Sequence, residues 1–384
     1  MRIEIVGGGP SGLFFAYLLK RDQPNAQVIV HEINSADATY GWGVVFAGHA
    51  LRFLKEVDEP FYNDFTREHV LFNDMEVVHH GEHVVIRNNA FSRVGRLNLL
   101  RCLHRHCLRV GVDLRFESRI DDFDALDAAD LVVGADGVSS RYREHFAAQF
   151  RPTVTQRPNF FAWYGTPRLF EKLALIFREN EDGIFIAHTY QYNAELSTFL
   201  VECDPASYRR AGLDHMDDDT SRAYIERVFA EDLRGKPVLS NRAGWFNARF
   251  VRTERMVAGH RVLLGDALRT VHFSIGAGTR MAMIDAIGLA AGFRAHPNDV
   301  QAALAHFESN RRDSSNDFQV AAEKSLDWYE TLATRMHLDP WAFAYSYYGR
   351  TGRLTLDDMR KIDPEFVAAV QSHSPAVAAG PPPV

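Results

Sequence analysis

Apolar residues near the start of the chain fall in short runs that stop at glycines and acids. Arg2–Val6 alternates toward a short strand, Gly7-Gly8-Gly9-Pro10-Ser11-Gly12 breaks it, Phe14–Leu19 reads as an apolar helix, and Gln27–His31 is a second strand closed by Glu32. The pattern then predicts a short helix over Leu51–Val57, strands over Glu68–Phe72 and Glu76–Arg87 with a turn at His80-Gly81-Glu82, and a long helix over Leu97–Val110. Val112–Ser118 reads as a strand, and Leu131-Val132-Val133 enters Gly134-Ala135-Asp136-Gly137 like a buried parallel strand. From Phe160 to Phe250 strands dominate (Phe160–Gly165, Leu173–Arg178, Gly183–His188, Ser197–Cys203), with a helix over Asp214–Leu233. Arg261–Asp266 is another apolar strand. A small-residue helix over Arg280–Gly292, a largely helical Gln301–Tyr329, an aromatic-rich Met336–Gly352 and a tail from Ser372 of disordered composition complete the chain.

The opening unit carries specific chemistry. Gly7, Gly9 and Gly12 fit G-x-G-x-x-G between a strand and a helix, and Glu32 lies 32 − 12 = 20 positions beyond Gly12. Gly7 allows the tight turn, Gly9 the close approach of a pyrophosphate, and Gly12 the packing of helix on strand. With Pro10 and Ser11 these residues open a helix whose free N–H groups suit phosphates. Glu32 suits two free ribose hydroxyls, which favours FAD or NAD over NADP here. A plain structural turn is the competing reading of such glycines.

Other stretches offer candidates of lesser specificity. Gly41-Trp42-Gly43, within Thr39–Phe46, fits either a close approach to a flat ligand or a strand with an aromatic core anchor. Arg96 stands at a helix start, where the helix dipole disfavours a cation unless an anion faces it; an exposed arginine is the alternative. Asp136 and Gly265-Asp266 end apolar strands, and Gly276, Gly278 and Thr279 open a helix with exposed N–H groups.

Composition narrows the class. The 384 residues are 46% hydrophobic and 24% charged, enough for two domains with a sizeable core, and the net charge of −7 argues against nucleic-acid or anionic-membrane surfaces. Cys102, Cys107 and Cys203 have no metal or disulfide spacing, which predicts buried reduced thiols, no metal site and a cytoplasmic protein. No run has transmembrane length and no leader precedes the first strand.

Taken together, Gly7-x-Gly9-x-x-Gly12 with Glu32, Asp136-Gly137, and Gly265-Asp266 followed by Gly276 and Gly278 resemble the single-component flavoprotein aromatic hydroxylases, the 4-hydroxybenzoate hydroxylase class. Within the class, Gly41-Trp42-Gly43-Val44-Val45-Phe46, Trp163-Tyr164-Gly165-Thr166, Ala187-His188-Thr189-Tyr190 and His272-Phe273-Ser274-Ile275-Gly276 are similar to the branch acting on aryl-CoA thioesters. The resemblance implies an α/β fold: a Rossmann-like FAD-binding domain (1–67, 88–158, 255–330), an inserted β-sheet substrate domain (68–87, 159–254), a C-terminal helical segment (331–371) and a disordered tail (372–384). It implies FAD held by the residues above, Trp42 and Gly43 included. NADH or NADPH and O2 would be co-substrates, in the hydroxylation of an activated ring such as that of salicylyl-CoA or 2-aminobenzoyl-CoA. An indole-derived ring is an alternative, as is a non-hydroxylating flavoprotein reductase, and a homodimer is a candidate assembly. His272, His188 and His49 are candidate bases, each equally readable as structural. Tyr190, His188 and Phe273 are candidate substrate contacts. Val271, His272 and Phe273 stand where simpler phenol hydroxylases carry prolines, which argues against a free phenol.

Overall fold

The computed structural model describes residues 1–38, 41–47, 51–271 and 275–375, without the side chains of 241–243 and 314–315. Arg2–Val6 pairs in parallel with Gln27–His31 on one side and Leu131–Gly134 on the other. Arg261–Leu263 and Asp113–Arg115 extend this into a six-stranded sheet whose edge is Val257–Ala258. Helix α1 (Pro10–Asp22) has Leu13–Leu19 entirely buried, which explains a helix that is apolar on every side. It packs beside α2 (Arg96–Val110) and α3 (Gly278–Ala295), and α3 in turn packs on the long α4 (Val300–Glu330). Leu13, Phe14, Phe15, Leu18, Ile5 and Val133 are fully buried here, each contributing about 1.5–3 kcal/mol of transfer free energy.

A seven-stranded sheet stands apart from the first. Its order is Leu239–Thr253, Pro152–Thr166, Ser197–Cys203, Gly183–Gln191, Leu173–Asn180, Met75–His79 and Glu82–Ile86. The two fifteen-residue strands Pro152–Thr166 and Leu239–Thr253 run antiparallel and carry the chain out of the six-stranded sheet and back. Met75–His79 joins in parallel at Leu173–Ile176. The helix Pro340–Gly349, capped by Asp339, covers the far edge with Phe343, Tyr345 and Tyr347 buried.

Some elements differ from the pattern-based expectation. Val70–Phe72 pairs with Phe91–Gly95, and so does Gly43–Ala47, forming a small sheet of their own at the joint. The strand expected over Val112–Ser118 shrinks to Asp113–Arg115, because it is an edge strand facing only Ile29–His31 and Glu117 turns to φ +52°. The helix expected over Asp214–Leu233 begins at Asp218, where Asp217 accepts from the Thr220 N–H at 2.8 Å, and breaks at Phe229. Pro364–His373 is helical into the start of the expected tail, whose residues from 376 lie outside the described residues. No described helix is long and apolar enough to cross a membrane.

Candidate active site

The site grows from the turn after the first strand. Gly7 has φ +110°, and a Cβ there would sit 2.3 Å from the Ala135 carbonyl oxygen; at Gly12 it would sit 2.3 Å from the Gly7 oxygen. Both positions therefore demand glycine. At Gly9 the nearest atom would be 3.9 Å away, so the backbone there is open toward a ligand. Gly9 caps α1 without a side chain and Pro10 follows, which leaves the first N–H groups for a ligand. Glu32 accepts from the Gly8 N–H at 2.8 Å and, through its other oxygen, from Asn34 N and Nδ2 at 2.8 and 2.7 Å. It lines a cavity of about 340 Å³ together with His104, Phe116 and Asp136. Asp136 accepts from Ser140 Oγ and from the Tyr142 N–H at 3.1 Å, so it fixes the start of the helix Arg141–His145 at that cavity's wall.

A larger cavity, about 600 Å³, lies between the two sheets. Gly9, Pro10, Arg96, Ala135 and Gly137 line both cavities and form a neck between them. Arg96 is half-buried at the first position of α2, and its guanidinium makes no hydrogen bond or ion pair among the described residues. Enclosure by protein pulls its pKa below the usual arginine range, with Asp266 opposing. Asp266 is exposed to the cavity yet enclosed on its other sides. That enclosure raises its carboxyl pKa while Arg96 and Arg269 act against it, and water in the open cavity moderates the effect. Beneath the Asp266 turn, the fully buried Asp285 of α3 accepts from the Gly265 N–H at 3.2 Å and from Arg311 at 2.7 Å. Ser11, Gly276, Gly278 and Thr279 line the same wall.

The opposite wall comes from the seven-stranded sheet. His188 and Tyr190 share one face of their strand, and both line the cavity with Leu175, Leu200 and Phe246. The Tyr190 hydroxyl donates to the Gly43 carbonyl at 2.8 Å, and burial pushes its pKa up to about 12. His188 Nε2 lies 3.0 Å from an oxygen of Glu202, a fully buried residue whose other oxygen accepts from Asn159 at 2.7 Å. In the tautomer that carries the proton on Nε2, His188 donates to Glu202. Trp42 lines neither cavity: it packs over Gly165 and donates from Nε1 to the Trp163 carbonyl at 3.3 Å, while Gly43 beside it does line the large cavity. His49, His272 and Phe273 lie outside the described residues.

Several wall residues escaped the sequence reading. Arg157, Phe246, Tyr347 and Arg350 all line the large cavity. The aromatic stripe of Met336–Gly352 was the one signal for Tyr347. Arg157 gave none, since its partner Glu330, held at 2.6 Å, is 173 positions away. Asp64, Cys102 and His106 also cluster elsewhere, but Arg105 and Arg67 already pair with Asp64 at 3.2 and 3.1 Å, and burial raises the Cys102 thiol to about 12. That donor set is suited to joining helices rather than to holding a cation.

The residues present fit a flavin dinucleotide. One compartment offers a carboxylate at a strand end, the neck offers backbone N–H groups and the Arg96 cation, and the second compartment is large enough for a flat ring and a substrate. Comparison with known proteins agrees. A family model described as an FAD binding domain matches residues 1–319. The chain is 36% identical over 376 residues to salicyloyl-CoA 5-hydroxylase of a Streptomyces species, covering 94% of this chain and 73% of that protein. It is 36% identical over 359 residues to protodeoxyviolaceinate monooxygenase of Chromobacterium violaceum (91% and 94% covered). It is 35% identical over 333 residues to 3-hydroxy-4-methyl-anthranilyl-[aryl-carrier protein] 5-monooxygenase of Streptosporangium sibiricum (86% and 90%). PqsL of Pseudomonas aeruginosa, solved with 2-aminobenzoylacetate, superposes with TM-score 0.68 at 20% identity over 88% of this chain and 98% of that one.

Proposed function

The chain belongs to the FAD-dependent aromatic monooxygenases, and from that premise we propose that it hydroxylates an activated aromatic ring carried as a thioester, with NADH or NADPH as reductant. Its aromatic substrate and O2 follow from the family; the thioester and the reductant are the further step. Two of the relatives, by their names, act on rings attached to CoA or to a carrier protein. The observation that carries the reading is the pair of cavities joined at Gly9, Pro10 and Arg96.

When bound, FAD supplies hydride acceptance and O2 activation. The chain's own residues do the rest. Glu32 accepts hydrogen bonds at the sugar end. The N–H groups after Gly9, with Arg96, hold the phosphates in the neck, and Asp266 binds hydroxyls beyond it. Leu175, Leu200 and Phe246 exclude water, and Tyr190 ties the sheet wall to the Gly43 strand through its hydroxyl. His188 takes the proton of the ring's hydroxyl or amino substituent at Nδ1, with Glu202 holding the Nε2 proton. His272 and His49 remain further candidates for that role.

A second reading, a free aromatic acid, draws on the protodeoxyviolaceinate relative and on Arg249 in the cavity wall. The test is NAD(P)H oxidation and product mass with aryl-CoA thioesters against the matching free acids. Coupled hydroxylation of the thioesters supports the proposal; hydroxylation of free acids alone overturns it.

A further inference from the structure

Two guanidiniums meet over one ring just outside the large cavity, and a lysine ammonium stands beside the adjoining turn. Arg280, in the first turn of α3, and Arg353, in the loop after Pro340–Gly349, both place their guanidinium over the Phe318 ring, at 5.5 and 4.4 Å from its centroid. Lys324 Nζ packs against the Gly352 turn, 3.1 Å from where a Cβ on that glycine would lie. Among the described residues no carboxylate comes within 4.0 Å of any of the three, and none of their side chains donates a hydrogen bond. Glu323, next to Lys324, is engaged by Arg252 at 2.6 Å. The Arg280 Nε is buried without a partner. Thr279, Thr351 and Leu354, their chain neighbours, line the cavity, so the cluster sits on its rim.

Clustered like charges repel one another, and the arrangement is stabilised only when an anion joins it. We infer that Arg280, Arg353 and Lys324 form an anion subsite on the cavity rim for the phosphate of a pantetheine arm that carries the substrate ring. This rests on the thioester reading above. The esterified phosphate of such an arm keeps a full negative charge and two free acceptor oxygens, which suit the paired guanidiniums of Arg280 and Arg353 with Lys324 beside the adjoining turn. Phe318 holds the two guanidinium planes and reduces the entropy lost on binding. The subsite lies outside the wall residues, beyond the ring itself and where an arm would leave the cavity. Free CoA presents this phosphoryl group as part of a diphosphate and a carrier protein presents it as a phosphodiester, so both offer a negative charge at the same end of the arm.

The test uses the FAD-loaded full chain and the double variant Lys324→Gln/Arg353→Gln, both exposed positions. Each is assayed with an aryl phosphopantetheine thioester and with the pantetheine thioester that lacks only the phosphate. The expected result is a KM about tenfold higher for the phosphorylated substrate, with kcat and the KM of the pantetheine thioester unchanged. High salt should erase the difference in the parent, and Arg353→Lys should restore part of it. Equal losses for both substrates, no loss, or a rise confined to the NAD(P)H KM overturns the subsite. Calorimetry with CoA alone separates the two claims. If neither thioester is hydroxylated but CoA binds the variant about tenfold more weakly, the subsite is supported and the thioester reading fails. Assays with aryl-CoA and with the aryl group on a carrier protein show which source loses efficiency in the variant.

Discussion

Asp285 and Arg269 stand sixteen positions apart in the chain and meet in a bidentate ion pair, at 2.8 and 2.9 Å, directly beneath the turn that presents Asp266. Arg311 of α4 reaches the same carboxylate, so one buried acid ties α3, α4 and the Gly265 turn together. Burial works against the charge on Asp285, but the two arginines outweigh it and hold the carboxyl below the usual range. Asp285→Asn removes the carboxylate charge that the two buried guanidiniums share. The expected loss is about 3–5 kcal/mol in urea unfolding, with weaker FAD retention. A variant as stable as the parent would show that the arginines find other partners.

Arg96→Gln removes the neck's cation. The expected outcome is FAD affinity lower by about 1.5–3 kcal/mol, roughly ten- to a hundredfold in a fluorescence titration, with folding unimpaired because the guanidinium holds no hydrogen-bond or ion-pair partner among the described residues. Unchanged affinity would mean that the helix N–H groups suffice for the phosphates.

His188→Ala should keep FAD and still consume NAD(P)H, but hydroxylate about 10²-fold more slowly, the low side of general-base effects. Glu202→Gln should fall between this variant and the parent and shift the pH dependence of kcat, since it alters the proton partner of Nε2. Parent-like coupled rates in His188→Ala would remove the histidine from the chemistry.

His79 sets a pH dependence of stability. It is fully buried, donates from Nε2 to the Leu338 carbonyl at 3.1 Å and stacks 3.9 Å from Phe343. Burial first, and His80 second, push its pKa down to about 4 from 6.5. The unfolded chain binds this proton near 6.5 and the folded protein only near 4. Its stability contribution is therefore complete above about 6.5, falls as pH drops through that window and is level below about 4. The total is (6.5 − 4) × 1.36, about 3 kcal/mol. His79→Gln keeps a donor without titrating, and should flatten that part of the curve in urea unfolding between pH 7 and 4.5. Identical slopes in both proteins would assign the dependence elsewhere.

How legible these features were depended on sequence distance. The unit from Gly7 to Glu32 was readable because its strand, turn, helix and acid are consecutive and each has a local rule. Gly265-Asp266 and the Gly276–Gly278 helix entrance were readable for the same reason. The His188–Tyr190 face followed from strand alternation alone. Glu202 did not announce itself, because its pairing with His188 depends on the register of two neighbouring strands. Asp285 looked like one polar residue in a small-residue helix, and its arginines come from a different loop and a different helix. Trp42 was open to two readings, a flat ligand or an aromatic anchor, and the rings its flanking glycines admit are the protein's own: Trp163 beside Gly41, and Tyr192 and Tyr190 beside Gly43.

The neck shared by the two cavities has a thermodynamic consequence. A group lodged among Gly9, Arg96 and Gly137 becomes part of the wall of the larger compartment, so an aromatic substrate entering the cofactor-free protein meets a different surface from one entering the loaded protein. Linkage then requires reciprocity. Whatever factor the flavin contributes to substrate affinity, the substrate returns to flavin affinity, and apo-protein titrated with each ligand in the presence and absence of the other must close a cycle with a single coupling constant.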